Sequence, residues 1–161
     1  MKNPNEMSPV HDAVMRHSLV DLKLALRRGS NVDDLDREKR TSLFYAVKDN
    51  DIELVKELIS NHSNVNAKDI HGESPLHFAA RFLSVESAKL LIAAHALVDA
   101  RDENGNTPLS NATFESRGRG EMIDFLLSVG ADRNLKNFHG ISPLDLARSI
   151  GNFNVIQFFA T

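Results

Sequence analysis

The sequence predicts an all-α stack of repeated helix-turn-helix units, and three observations carry that expectation. An apolar residue that opens a short helix recurs at a nearly fixed spacing. Val10, Leu43, Leu76 and Leu109 are each 33 residues apart, and Leu144 follows 35 residues later. Self-similarity at this period marks a repeat architecture, in which each unit buries its apolar side against its neighbours. Each of the five units also opens on a hydroxyl residue, Ser8, Thr41, Ser74, Thr107 or Ser142, suited to cap a helix N-terminus. Finally, Pro9, Pro75, Pro108 and Pro143 stand at the first helical position, where a fixed φ helps and a missing N–H costs nothing. The second unit has Ser42 there instead.

Each unit reads the same way along the chain. The first helix carries Leu43/Ala46, Leu76/Ala79, Leu109/Ala112 or Leu144/Ala147, apolar residues three apart on one face, with alanines that permit close approach. A second apolar segment follows at 19–26, 52–59, 85–92, 122–127 and 153–159. Helices this short are marginal alone, so stacking must supply their stability. After the second helix, Gly29 and Gly130 suit a left-handed C-cap. His62 and His95 hold that place in the middle units, and the strain should make those two ends less stable.

Polar links then lead to hairpin-forming turns at His71-Gly72, Asn104-Gly105 and His139-Gly140. The link at 33–40 is densely charged and lacks glycine, so its turn is expected to close differently. The fourth unit has two extra residues within 114–120, which lengthens the loop between its helices. The first unit has no hairpin before it, and the fifth ends directly after its second helix.

Composition limits what such a stack can do. Of 161 residues, 42% are apolar and 25% charged, as in an ordinary folded domain, and residues 1–161 are expected to form one. The net charge of −3 gives no reason to expect nucleic acid as the main partner. The absence of cysteine excludes disulfides and thiolate metal sites. The polar start lacks the apolar core of a signal peptide. The most apolar run, 90–98, is about half the length needed to cross a bilayer and contains His95. A cytoplasmic protein without membrane contact is expected.

The motifs themselves carry a family resemblance. Ser-Pro-Leu-His-Phe-Ala-Ala at 74–80, Asp-x-x-Gly-x-Thr-Pro-Leu at 102–109 and Gly-Ala-Asp at 130–132, together with the 33-residue period, resemble the ankyrin repeat. The resemblance runs from about Ser8 to Phe159 and divides the chain at about 8–35, 36–68, 69–101, 102–136 and 137–161. It implies a solenoid of five antiparallel helix pairs joined by projecting hairpin loops, with one concave face. It also implies that His77 is a structural histidine tying down the neighbouring turn.

No catalytic constellation stands out from the repeat pattern. His62 and His95 lie on successive units, where stacked helices are roughly 8–10 Å apart; long side chains can bridge that gap, but no third ligand type accompanies them. Gly118-Arg119-Gly120 lacks the strand, lysine and spacing of a phosphate loop. Asp99, Asp102 and Asp132 are explained by capping. No catalytic residue, cofactor or metal is therefore expected, and an enzyme or metal protein is the remote alternative.

A protein-binding role is expected instead, on the hairpin tips and first-helix face that ankyrin repeats expose. The candidate contacts are Tyr45, Lys48 and Asp49 from the second unit, and Ile70, His71, Glu73, Phe78, Arg81 and Phe82 from the third. Glu103, Asn104, Asn106, Phe114 and Arg117 come from the fourth, and Phe138, His139 and Ile141 from the fifth. Aromatic residues flanked by arginines are what interface hot spots favour. Phe78 and Phe114 could instead be tucked between helices.

The simplest mechanism is occlusion of a protein partner. For a bacterial source this extends by analogy to an immunity-type protein that neutralises a toxin; the alternative is an adaptor or assembly chaperone that holds a subunit without inhibiting it. The free chain is expected to be a monomer. Phe153, Val155, Ile156, Phe158 and Phe159 leave the last segment either turned inward or open to self-association, and the inward arrangement fits the apolar count of the other units.

Overall fold

Helices assemble in pairs along the whole stack. The structure is a computed structural model and describes residues 7–151 and 153–160. Among them are nine α-helices: α1 Pro9–Met15, α2 Leu19–Arg27, α3 Ser42–Lys48, α4 Ile52–Ser60, α5 Pro75–Phe82, α6 Val85–Ala93, α7 Pro108–Glu115, α8 Glu121–Ser128 and α9 Pro143–Ser149. A 3-10 helix, Val155–Phe159, follows α9. The first helix of each pair touches the first helix of the next (α1, α3, α5, α7, α9), and α2, α4, α6 and α8 stack behind them as an outer layer.

The core lies between these layers. Leu43, Leu76 and Leu109 are fully buried, as are Leu58, Leu91 and Leu126 of the outer layer. Ala46, Ala79, Ala112 and Ala147 are at most 2% exposed, so no side chain keeps neighbouring inner helices apart. Arg148 is exposed where Val14, Val47, Ala80 and Thr113 are buried under the following pair.

The last segment departs from the others. Residues 155–159 form a 3-10 helix rather than an α-helix, because five residues leave almost no i→i−4 bonds to close. It nonetheless turns inward: Val155 and Phe159 are buried, Phe158 is half-buried and Phe153 stays exposed. Arg133 Nη1 donates to the Phe159 carbonyl at 2.6 Å and fixes its end. The Phe158 ring lies on Gly120, where any Cβ would fall inside it, and Phe153 covers Gly118. The longer loop of the fourth unit is thus held down by the chain's last segment.

The hairpins follow one rule. Asp36, Asp69, Asp102 and Asn137 each accept two backbone N–H groups through Oδ1, from residues two and four further on, at 2.8–3.0 Å. The charged 33–40 link was expected to close differently, but it closes in this same way. Lys39 takes the left-handed conformation (φ 56) that Gly72 and Gly105 supply elsewhere, so the side-chain acceptor, not the glycine, sets the turn. Successive tips join edge to edge: Ile70 N–H to Glu38 O, Glu103 N–H to His71 O and Phe138 N–H to Asn104 O, each 2.9 Å.

Helix starts and ends vary more. Ser8, Thr107 and Ser142 accept N–H groups of their first turns, but Thr41 makes no side-chain cap bond. His62 and His95 are left-handed at φ 65 and 67, where Gly29 and Gly130 stand at 84 and 94.

Candidate functional site

The inner helices and hairpins form one continuous face, and its foundation is a buried aromatic and charged row. Phe44 is fully buried and meets Phe78 edge-on at 5.1 Å; Phe78 in turn meets Phe82 at 5.9 Å. Exposure rises along this line from 0% through 4% to 45%. The guanidiniums of Arg40 and Arg81 lie 5.0 and 5.8 Å from the centre of the Phe78 ring. Each is held by a buried acid. Arg40 donates to Asp69 Oδ2 through Nε and Nη2 at 3.2 and 3.1 Å, and Arg81 Nη2 donates to Glu73 Oε1. Asn111 Nδ2 reaches the same Glu73 oxygen at 3.2 Å. Burial pushes the Glu73 carboxyl up, against the pull of Arg81 and Asn111.

His77 ties this row to the next hairpin. Its Nδ1 accepts the Ser74 backbone N–H at 3.1 Å, which leaves the proton on Nε2 to be donated to the Asn106 carbonyl at 3.1 Å. Burial holds its pKa below the usual histidine value, against the opposite effect of that carbonyl. His11 repeats the arrangement, with Nδ1 2.9 Å from Ser8 Oγ and Nε2 3.0 Å from the Arg40 carbonyl. Only His77 was legible as such from its motif.

Above this foundation the face opens into two clefts. The larger, about 410 Å³, runs across the third to fifth pairs and is lined by Arg81, Asn106, Asn111, Phe114, Ile141 and Leu146 among others. The smaller, about 300 Å³, lies between Phe114, Arg117, Ile150 and Phe153. Phe114 belongs to both and is 67% exposed. In the lining of the larger cleft Asn137 Nδ2 donates to Asn106 Oδ1 at 2.8 Å, and Asn106 Nδ2 to Asp102 Oδ2 at 3.3 Å. These bonds fix the amides in place.

The residues expected to contact a partner divide accordingly. Arg81, Asn106, Phe114 and Ile141 meet around the larger cleft, with Arg117 in the smaller. Lys48 and Phe82 form a second group, Nζ 5.6 Å from the ring centre. Ile70, His71, Glu103, Asn104, Phe138 and His139 sit exposed on the hairpins, with His71 Nδ1 3.3 Å from Glu103 Oε1 and Arg101 5.5 Å over the Phe138 ring. Tyr45 is half-buried and donates its hydroxyl to Asp36; burial, then Asp36, pushes its phenol up.

Two of these expectations are corrected. Glu73 (3% exposed) and Phe78 (4%) do not reach the surface, because the Arg40 and Arg81 side chains close over them. They brace the face from below. Asn111, Asn137 and Leu146 line the larger cleft and were missed. Register alone could have found two of them, since Asn111 and Leu146 occupy the place of Tyr45 and Phe78 in later units.

Exposed apolar side chains occur elsewhere too, at Val20, Leu24, Leu35 and Leu97. What distinguishes the Phe114 region is an exposed ring between two concavities. Among the described residues no three His, Asp or Glu side chains converge as a metal site requires, and no helix is long and apolar enough to cross a membrane.

No curated protein matches this sequence closely enough to count as a relative. The family model described as ankyrin repeats (3 copies) matches residues 1–69 and 43–137, together spanning 1–137. With that match over most of the chain and the stacked helix pairs beneath it, the protein belongs to the ankyrin repeat family, a family of protein–protein interaction modules.

Proposed function

We propose that residues 1–161 form a single non-enzymatic binding domain of five units that engages a protein partner across the inner-helix face and hairpin tips and inhibits it. The observation that carries this reading is Phe114. A ring 67% exposed between two clefts, with Ile141 also lining the larger one, is a poor choice for solubility and a good one for an interface. The foundation supports it, because side chains already locked by Glu73, Asp69 and Asn137 lose little freedom on association. Tyr45, Lys48, Ile70, His71, Arg81, Phe82, Glu103, Asn104, Asn106, Phe114, Arg117, Phe138, His139 and Ile141 are the contacts in this reading. The free protein is then a cytoplasmic monomer, and for a bacterial source the partner is a toxin.

Capture from the native cell with the whole chain as bait tests it, with Phe82→Ser/Phe114→Ser as control. One stoichiometric protein, lost with the double variant and less active in the complex, is the expected result. Binding unchanged by the variant would refute the face. Binding that leaves the partner fully active would replace inhibition by an adaptor role.

A further inference from the structure

We infer that the two clefts are read together by an acidic, extended protein segment that straddles Phe114, with an apolar side chain against Ile141 and Leu146 and a carboxylate at Arg117. This rests on the protein-binding reading above and adds the chemistry of the partner.

Charge is the first ground. The chain carries a net −3, and most of its cations near this face already have an acid: Arg40 has Asp69, Arg81 has Glu73 and Arg148 has Asp145. Arg117, Arg119 and Lys48 are exposed and form no ion pair among the described residues; Lys48 Nζ lies over the Phe82 ring. Glu115 lies on the wall of the larger cleft, so a partner carboxylate is repelled there and drawn to Arg117 in the smaller one. The larger cleft is left for an apolar side chain.

Backbone geometry is the second ground. Arg117 is a non-glycine residue at φ 47, in the left-handed region that a side chain enters only at a cost. Its loop is pinned by a turn from Arg119 N–H to Ser116 O at 2.8 Å and by Phe153 and Phe158, which cover Gly118 and Gly120. The guanidinium is thus presented from a fixed loop beside Phe114. A nucleic-acid strand would need a longer run of cations to follow its phosphates, and would leave the apolar wall of the larger cleft without a use.

Random dodecamers displayed on phage and selected against the immobilised full chain provide the test. Recovered peptides are then measured by fluorescence polarisation against the wild type, Phe114→Ser and Arg117→Glu/Arg119→Glu, with a labelled oligo(dT) strand alongside. Enriched peptides should carry two or more acidic residues around an apolar one. They should bind the arginine variant about tenfold more weakly at low salt, the gap closing at high salt, while its melting curve stays that of the wild type. Enrichment of neutral or basic peptides, or tighter binding of oligo(dT), would overturn the inference. Peptides that lose Phe114→Ser but keep the arginine variant would overturn the charge assignment alone and leave the face standing. Peptides indifferent to both variants would remove both.

Discussion

The second and third helix pairs solve the same problem with different residues. In the third, His77 joins the helix start at Ser74 to the next hairpin at Asn106, and every polar group in that corner has a partner. In the second, Phe44 occupies the same register and can make neither bond. The hydroxyls of Thr41 and Ser42 are left buried without a partner among the described residues. In exchange Phe44 gives Phe78 an edge-on contact at 5.1 Å, and Phe78 is the ring on which Arg40 and Arg81 rest. One position serves either as a polar tie or as an aromatic plug; the plug builds the floor of the inner-helix face, and the tie holds the hairpin beside it.

The strongest way to break this contrast is to remove the tie. His77→Ala should lower the unfolding free energy by about 3 kcal/mol, since it opens a cavity and leaves the Ser74 N–H and the Asn106 carbonyl unpaired. Urea denaturation would read it; a loss below about 1 kcal/mol would mean the histidine bonds are replaceable. His77→Phe copies the second pair's solution and should cost less.

That same variant separates the pH behaviour. Because burial depresses the His77 pKa in the folded state, the native protein binds fewer protons there than the unfolded chain. Its contribution is full above the ordinary histidine value of about 6.5 and is lost as pH falls from there through the depressed value. The wild type should therefore lose stability on acidification over this window, and His77→Phe should lose less. Equal slopes would assign the sensitivity to other groups.

Repairing the second pair should have a smaller effect of opposite sign. Ser42→Pro supplies the residue found at this register in the other units, removes one orphan hydroxyl and restricts the unfolded chain. Thr41 before it is already extended, at φ −80 and ψ 164. A gain of about 1 kcal/mol is expected in the same denaturation measurement, and a loss would show that the Ser42 hydroxyl has a partner after all.

Smallest of all is the relief of a strained helix end. His95→Gly should stabilise by about 0.5 kcal/mol, the left-handed cost of a side chain less the added freedom of unfolded glycine. A lower melting temperature would mean that the imidazole makes a contact worth more than the strain.

The repeat period, the Ser/Thr-Pro helix starts and the Leu-x-x-Ala face were enough to place the inner helices, because these signals are local and recur at fixed register. His77 was legible for the same reason, and so were the left-handed ends at His62 and His95. Other features escaped sequence reading, some because a local signal was misjudged and some because they depend on contacts between units. The turn at Asp36 looked irregular without glycine, yet its acceptor carboxylate was the decisive group. Phe78 and Phe114 are both aromatic residues on inner helices. Only the packed structure separates them, because Arg40 and Arg81 close over one ring and the other stays 67% exposed.

By itself, then, the sequence determined the stack, its period and the places where its inner helices start, since helix starts and apolar faces are set by neighbours within a turn or two. Tertiary structure alone decided which side chains reach the surface, how Phe153 and Phe158 hold the loop that carries Arg117, and where the two clefts open. Burial and cleft shape depend on contacts between units, and a sequence pattern that repeats every 33 residues does not say which copy of a position its neighbours will cover.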